Sequence, residues 1–201
     1  MTEQEDFWRG PFGTDYLKRN RVAWGKRVPF WSHMLATTGA RSILEVGCNA
    51  GWNLLAMRKA EKSLVLKGAD INEAALAEAA MANLDVARLS AIQVGKKWSG
   101  AFDLVFTAGV LIHVPPAQLR KAMKSIVTAS KRYVLAVEYS SSQEEEVVYR
   151  GHAERLWKRP YGKLYHEQLD LLPIASGALG PEDGFDFTTW WLLRKEVPTT
   201  A

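Results

Sequence analysis

Residues Ile43-Leu44-Glu45-Val46-Gly47-Cys48-Asn49-Ala50-Gly51 decide the fold. Ser42 to Val46 is a short β-rich run closed by Gly47. Beyond Gly51 the composition turns helical from Trp52 to Ala60. A strand, a glycine-punctuated turn and a helix start bring two properties together. Glycine lets the backbone approach a ligand closely, and a helix start offers unpaired N–H groups. Taken alone, the same turn also reads as a plain strand–helix connection.

The next strand narrows the choice. Ser63 to Ala69 reads as a strand that ends at Asp70, 25 residues after Glu45. In dinucleotide-type folds an acidic residue at this place binds ribose hydroxyls, and a carboxylate accepts from both hydroxyls of a cis-diol. A pyrophosphate-binding turn needs Gly-x-Gly-x-x-Gly, but Asn49 stands at the second glycine and Trp52 at the third. No Lys-Ser/Thr follows the loop, so the Walker pattern is absent too. Glu45 at the base of the loop would repel phosphate and suits an amino group or a sulfonium. The expected ligand carries a ribose and no phosphate.

Those residues, followed by Phe102-Asp103-Leu104-Val105-Phe106 and Thr107-Ala108-Gly109-Val110-Leu111-Ile112-His113, resemble the motifs of class I S-adenosylmethionine-dependent methyltransferases over about residues 40–140. A closer resemblance spans most of the chain. Phe7-Trp8-Arg9-Gly10, Gly13-Thr14-Asp15-Tyr16, Arg19-Asn20, Glu138-Tyr139, Tyr149-Arg150-Gly151-His152 and Leu156-Trp157-Lys158-Arg159 with Gly162 are similar to the methylases associated with pseudaminic acid biosynthesis. The resemblance implies an α/β, Rossmann-like methyltransferase fold with a mostly parallel seven-stranded sheet flanked by helices. It implies S-adenosylmethionine as cofactor. Glu45, Gly47, Asn49, Gly51 and Thr107 would line it, Asp70 would hold the ribose diol and Ile71 would pack on adenine. One departure stands out: Gln93-Val94-Gly95-Lys96-Lys97 carries no carboxylate for the adenine amino group, which leaves Gln93 or backbone groups for that contact.

The chain reads as one domain, residues 1–201. Residues 1–39 form an N-terminal arm and helices, 40–140 the cofactor-binding core, and 141–201 an acceptor-side segment with a final strand. The arm, Phe7 to Gly13, is aromatic and broken by glycine; it reads either as a lid or as a segment pinned to the core. A helix is expected from Thr14, capped by Thr14 or Asp15, to Lys26, and another from Pro29 to about Ala36. Asn72 should cap a helix from Glu73 to Leu84. Strands are expected at Ala91–Val94, Phe102–Phe106, Tyr133–Val137 and Phe187–Leu193, with helices from Pro115 to about Ser130 and from Tyr161 to Leu172. Strands alternating with helices imply a mostly parallel sheet.

Methyl transfer from a sulfonium needs alignment, desolvation and, for a poor nucleophile, a base. His113, Glu138 and His152 are the candidate bases. His113 also reads as a packing residue before Pro115-Pro116. Trp8, Tyr139, Tyr149, Arg150, Lys158 and Arg159 are the candidate acceptor contacts, the cations suiting an acidic or sugar-like molecule. Those cations read equally as a solvated basic face. Glu144-Glu145-Glu146 reads as solvated surface, and Cys48 as a packing residue. The four histidines, at 33, 113, 152 and 166, show no ligand spacing, so no metal is expected.

Composition sets the outer bounds. The chain has 201 residues, 47% hydrophobic and 24% charged, as a globular protein does. One cysteine excludes a disulfide framework, and a reducing cytoplasm is the expected location. No signal-peptide h-region and no apolar run of membrane-span length is visible. The net charge of +4, with a pI near 9.2, raises a nucleic-acid methyltransferase as an alternative. Against it, no Asn/Asp-Pro-Pro-Tyr/Phe motif and no Pro-Cys nucleophile occurs, and Arg120, Lys121, Lys124, Lys131 and Arg132 lack interleaved aromatics. A non-catalytic partner subunit is the third reading, opposed by the intact cofactor motifs. Oligomeric state is silent in the sequence.

Overall fold

The computed structural model describes residues 2–196. Its strands are β1 (Ser42–Val46), β2 (Val65–Asp70), β3 (Asp85–Arg88), β4 (Phe102–Ala108), β5 (Ser130–Glu138), β6 (Glu145–Tyr149), β7 (His152–Lys158), β8 (Leu171–Leu179) and β9 (Thr188–Lys195). Its helices are α1 (Glu3–Arg9), α2 (Pro11–Arg19), α3 (Val28–Thr38), α4 (Trp52–Ala60), α5 (Glu73–Met81), α6 (Val94–Lys97), α7 (Pro116–Ala129) and α8 (Tyr161–Leu169).

Seven strands form one sheet in the order β3-β2-β1-β4-β5-β9-β8. The first five in that order run parallel, and β9 runs antiparallel to both β5 and β8. The sheet is the seven-stranded, Rossmann-like methyltransferase arrangement expected from the sequence. Strand order departs in opposite directions from β1, toward β2 on one side and β4 on the other, which opens a crevice beyond their carboxyl ends. The register aligns Glu45 with Gly68 and with Phe106, so Gly47, Asp70 and Ala108 reach the same rim.

Alternating side chains split the core between the two faces, as the period of two requires. Leu44, Val46, Val105, Val134 and Ala136 face α7 and α8, meeting Met123, Ile126, Tyr161 and Tyr165. Ile43, Leu104, Phe106, Leu135 and Val137 face α3 and α4, meeting Trp31, Met34, Leu54 and Met57. Cys48 is buried and fills the space over Gly68, where a Cβ would come 2.6 Å from its Sγ.

The structure corrects four expectations. The aromatic arm is two helices: Gly10 ends α1 and caps α2, and Pro11 takes the first-turn position that suits its missing N–H. Helix α2 stops at Arg19, where Asn20 turns its side chain back onto the Tyr16 carbonyl. The third strand is Asp85–Arg88, a polar edge strand beside β2, while Val94 opens the short helix α6. The segment after β5 is a separate hairpin of β6 and β7, and the helix begun at Tyr161 ends at Asp170, whose φ of 55° breaks it ahead of edge strand β8. No helix among the described residues is long and apolar enough to cross a membrane.

Candidate active site

The loop between β1 and α4 is held in shape by Asp70. Gly47 and Cys48 donate backbone N–H bonds to the Ala69 carbonyl at 2.7 and 3.0 Å. Asn49 N–H donates to Oδ2 of Asp70 at 2.8 Å, and Asn72 N–H donates to Oδ1 at 2.9 Å. Gly47 and Gly51 sit at φ 75° and 77°, where a side chain is strained, and a Cβ on Gly47 would also strike Val110. Burial pushes the Asp70 carboxyl above its usual range, and the N–H bonds from Asn72, Asn49 and Ile71 oppose that shift.

Glu45 is buried at the floor of the cleft. Asn53 donates to its Oε1 at 2.6 Å, while Oε2 has no partner. Burial pushes this carboxyl up to about 8, against the pull of Asn53 and Arg27. Asn53 Oδ1 in turn accepts from Arg27 Nη1 at 2.8 Å and from Trp31 Nε1 at 3.3 Å. Arg27 and Asn53 were not singled out in the sequence, because nothing local marks them as facing Glu45.

A cavity of about 230 Å³ runs along the rim above these groups. Ile71, Leu89, Ser90, Ala91 and Ile92 line it at the β2–β3 end. Gln93 is not among them: it is exposed, and its Oε1 accepts the Ser90 N–H at 2.9 Å, closing the turn after β3. Ser90 Oγ is left buried without a partner. Glu45, Gly47, Asn49, Asp70 and Ile71 all line the cavity. Gly51 stands just behind the loop as the helix cap. Thr107 does not reach the cavity; its 1% exposed side chain lies in the sheet beside Glu138.

Thr2, Gln4, Glu5, Trp8, Gly13 and Tyr16 roof the cavity. Asn72 Nδ2 fastens this roof by donating to the Trp8 carbonyl at 3.1 Å. Trp8 packs on Tyr16, His113 and Tyr149, with ring centroids 5.3, 4.3 and 6.2 Å away. Its Nε1 is buried with no partner. His113 lines the cavity, and its Nδ1 lies 2.7 Å from the Arg155 carbonyl. A carbonyl only accepts, so Nδ1 carries the proton and Nε2 keeps a lone pair. Burial lowers the His113 pKa to about 4, which keeps the ring neutral.

The other candidates are placed differently. Glu138 is 0% exposed, away from the cavity; it accepts N–H bonds from Val110, Leu111 and Ile112 at 3.2, 3.1 and 3.4 Å and braces the turn that carries His113. Arg159 is likewise 0% exposed. It pairs with Glu144 at 2.6 Å and donates to the Leu111 and Val114 carbonyls, so Glu144 is no idle surface charge. Geometry thus gives Glu138 and Arg159 supporting positions rather than places in the cleft. His152 is exposed and packs outside the roof on Phe7 and Phe12. Arg150 is exposed at the hairpin turn, and Lys158 faces Glu145 across the β6–β7 ladder. Tyr139 donates to Asp186 at 2.8 Å beyond the end of β5. Among the described residues, no group of three His, Cys, Asp or Glu could hold a metal.

The site fits a cofactor with a cationic amino-acid end, a ribose and a flat base. The unpartnered Glu45 Oε2 suits the cationic end, the Asp70 carboxylate on the cavity wall suits a diol, and apolar Ile71, Leu89 and Ile92 flank the far end. Comparison with known proteins agrees. Residues 43–132 match the family described as a methyltransferase domain. A ubiquinone biosynthesis O-methyltransferase from Pseudomonas paraeruginosa is 31% identical over 104 residues, 48% of this chain and 44% of that protein. The match thus spans less than half the length of that curated relative. The Synechocystis PCC 6803 magnesium protoporphyrin IX methyltransferase, solved with S-adenosylhomocysteine, superposes with a TM-score of 0.73 at 14% identity, covering 96% of this chain and 98% of that one. A Burkholderia thailandensis 1,6-didemethyltoxoflavin-N1-methyltransferase, solved with its acceptor and S-adenosylhomocysteine, gives 0.72 at 14%, covering 96% and 87%. Residues 43–132 thus match a methyltransferase domain, within a fold like that of the solved methyltransferases.

Proposed function

We propose that the chain transfers a methyl group from S-adenosylmethionine to an oxygen or nitrogen of a small-molecule acceptor, with His113 as the base. The observation that carries this reading is that His113 lines the cavity while its Nδ1 is taken up by the Arg155 carbonyl, which leaves the lone pair on Nε2. When bound, S-adenosylmethionine supplies an activated methyl whose bond to sulfur breaks with its electron pair left on sulfur, as the acceptor's lone pair forms the new bond. This chain's residues do the rest. Glu45 meets positive charge, Asp70 orients a diol, the helical roof excludes water and His113 takes the acceptor's proton. The Pseudomonas, Synechocystis and Burkholderia proteins named above are small-molecule methyltransferases, which supports an acceptor of that size.

The sugar-like, anionic acceptor suggested by the pseudaminic acid-associated motifs rests on sequence likeness alone. Several of those motif residues, Trp8, Tyr149, His152 and Arg159 among them, build the roof and its supports.

Two measurements test the reading. Calorimetry should show S-adenosylhomocysteine binding, and a lysate supplied with labelled methyl donor should yield a labelled small molecule that is lost with His113→Ala. A variant that turns over at the normal rate removes His113 as base, and absent cofactor binding overturns the whole assignment.

A further inference from the structure

The sheet order divides the cavity. Ile71 and Leu89–Ile92 mark its β2–β3 end, while Glu45 and Asn53 mark the middle over β1. The part left for an acceptor lies beyond the end of β4, where Gly109, Val110 and His113 line it. The side chains gathered there are aromatic. Trp8, Tyr16 and His113 line the cavity. Tyr149 packs behind Trp8 and His113, and Tyr139 lies within electrostatic range of Tyr16.

Most polar groups nearby are already engaged. Asp186 is held by Tyr139, Arg27 by Asn53 and the Gly184 carbonyl, and Arg159 by Glu144 and two carbonyls. A saturated polyol needs a dense set of unengaged donors and acceptors, because each hydroxyl loses its water on entry. The unengaged groups here are few: Trp8 Nε1–H and Gln4 Oε1, both buried and unpartnered, the His113 Nε2 lone pair and, behind the wall, Arg159 Nη2. Tyr16 adds a hydroxyl that burial holds in its neutral form, with its pKa up to about 12.

We propose that this half of the cleft takes a flat, uncharged, conjugated ring, packed on Trp8 and Tyr16, with a ring-attached O–H or N–H directed at His113. Offset or edge-on ring packing suits such a wall, and a ring carbonyl or ring nitrogen satisfies the Trp8 N–H. The acidity of the acceptor fits as well. His113 is a weakened base, so it matches a ring-conjugated O–H, which loses its proton far more readily than a sugar hydroxyl. The proton passes to Nε2 as the acceptor oxygen or nitrogen gains its methyl. This inference names the acceptor class for the function proposed above and rests on it.

The test is a binding measurement and needs no turnover. Calorimetry first measures S-adenosylhomocysteine on the intact chain. Catechol and naphthol, then methyl glucoside and N-acetylneuraminate, are titrated with and without it, followed by calorimetry and tryptophan fluorescence. The ring compounds should bind at least about tenfold more tightly than either sugar, and Trp8→Phe and Tyr16→Phe should each weaken them by roughly tenfold. Circular dichroism and thermal melts matching the unaltered chain certify that both variants fold. Ring compounds that fail to bind while S-adenosylhomocysteine binds overturn the acceptor class and leave the methyltransferase reading standing. Sugars that bind more tightly than rings overturn it too. Ring binding without cofactor binding has the opposite meaning, upholding the aromatic site and removing the transfer reaction.

Discussion

The backbone carbonyl of Arg155 accepts from two residues at once: His113 Nδ1 at 2.7 Å and Gln4 Nε2 at 3.3 Å. One carbonyl on the β6–β7 hairpin therefore fixes the tautomer of the candidate base and anchors the first roof helix. The Arg155 side chain repeats the tie, pairing with Glu3 at 2.5 Å and lying over the Phe7 ring.

From this geometry, His113 sets the acid limb of activity. With its pKa lowered to about 4, the ring is neutral and able to accept a proton across the neutral range. Activity should fall only as pH drops toward 4, and His113→Gln should lower kcat by about 10²–10⁴-fold with little change in S-adenosylhomocysteine affinity. Stability follows the same sign. The contribution of a neutral buried ring is fully present above the ordinary histidine value of 6.5 and is lost as pH falls toward 4. A pH–rate profile alongside thermal melts separates the two effects.

Asp70 shapes the loop and is proposed to hold the ribose diol, so its loss should act twice. Asp70→Ala should weaken S-adenosylhomocysteine binding by about tenfold to a hundredfold, the effect of losing one or two charge-assisted hydrogen bonds. Asp70→Asn keeps one acceptor and should fall between. Calorimetry reads both, and unchanged affinity removes Asp70 from the site.

Glu45 predicts a proton released on binding. Its carboxyl is raised to about 8 by burial, so near pH 7 it is mostly protonated in the unliganded protein. A cationic group placed beside it restores its ordinary acidity. Binding of S-adenosylmethionine at pH 7 should release up to about one proton, seen as an enthalpy that changes with the buffer's ionisation heat; Glu45→Gln should abolish the dependence. In the unliganded chain the raised value means stability present at low pH and lost as pH rises through about 8.

Arg159 and Glu138 support the site from beneath. Arg159→Ala removes a buried cation from Glu144 and two carbonyls and should cost about 3 kcal/mol or more of folding stability. Glu138→Ala strands three backbone N–H groups under the His113 turn, with a cost of similar size. Denaturant titration measures both. Glu138→Gln, which keeps an acceptor, should recover part of the stability; a Glu138→Gln variant that is fully stable yet inactive would return Glu138 to the chemistry.

The sequence made the centre of the sheet legible and the periphery much less so. β1 and α4 fall where their composition places them, because a doubly covered strand must be continuously apolar and a cofactor loop must be glycine-punctuated. β3 is an edge strand with a polar face, so Asp85–Arg88 carries no apolar run to mark it. The β6–β7 hairpin begins in a glutamate run that is exposed, as it reads, and so has no apolar alternation to mark a strand. Cavity-lining residues at the ends of β1 and β2 were readable by spacing, since strand ends fix them. The cations were not: Arg150 and Arg159 look alike, yet one is exposed at the hairpin turn and the other is buried at the hairpin's opposite end. Arg155 acts through contacts with Gln4 and Glu3, 151 and 152 residues away in the chain, which no local pattern records.

Cys48 gives the protein a built-in clock. Its thiol lies under the glycine loop, 2% exposed, with burial pushing its pKa upward, so an alkylating reagent reaches it only when the loop lifts. As the sole cysteine, its labelling rate counts those openings directly. Saturating S-adenosylhomocysteine should slow labelling in proportion to ligand concentration over Kd. An unaffected rate would mean that ligand and loop move independently.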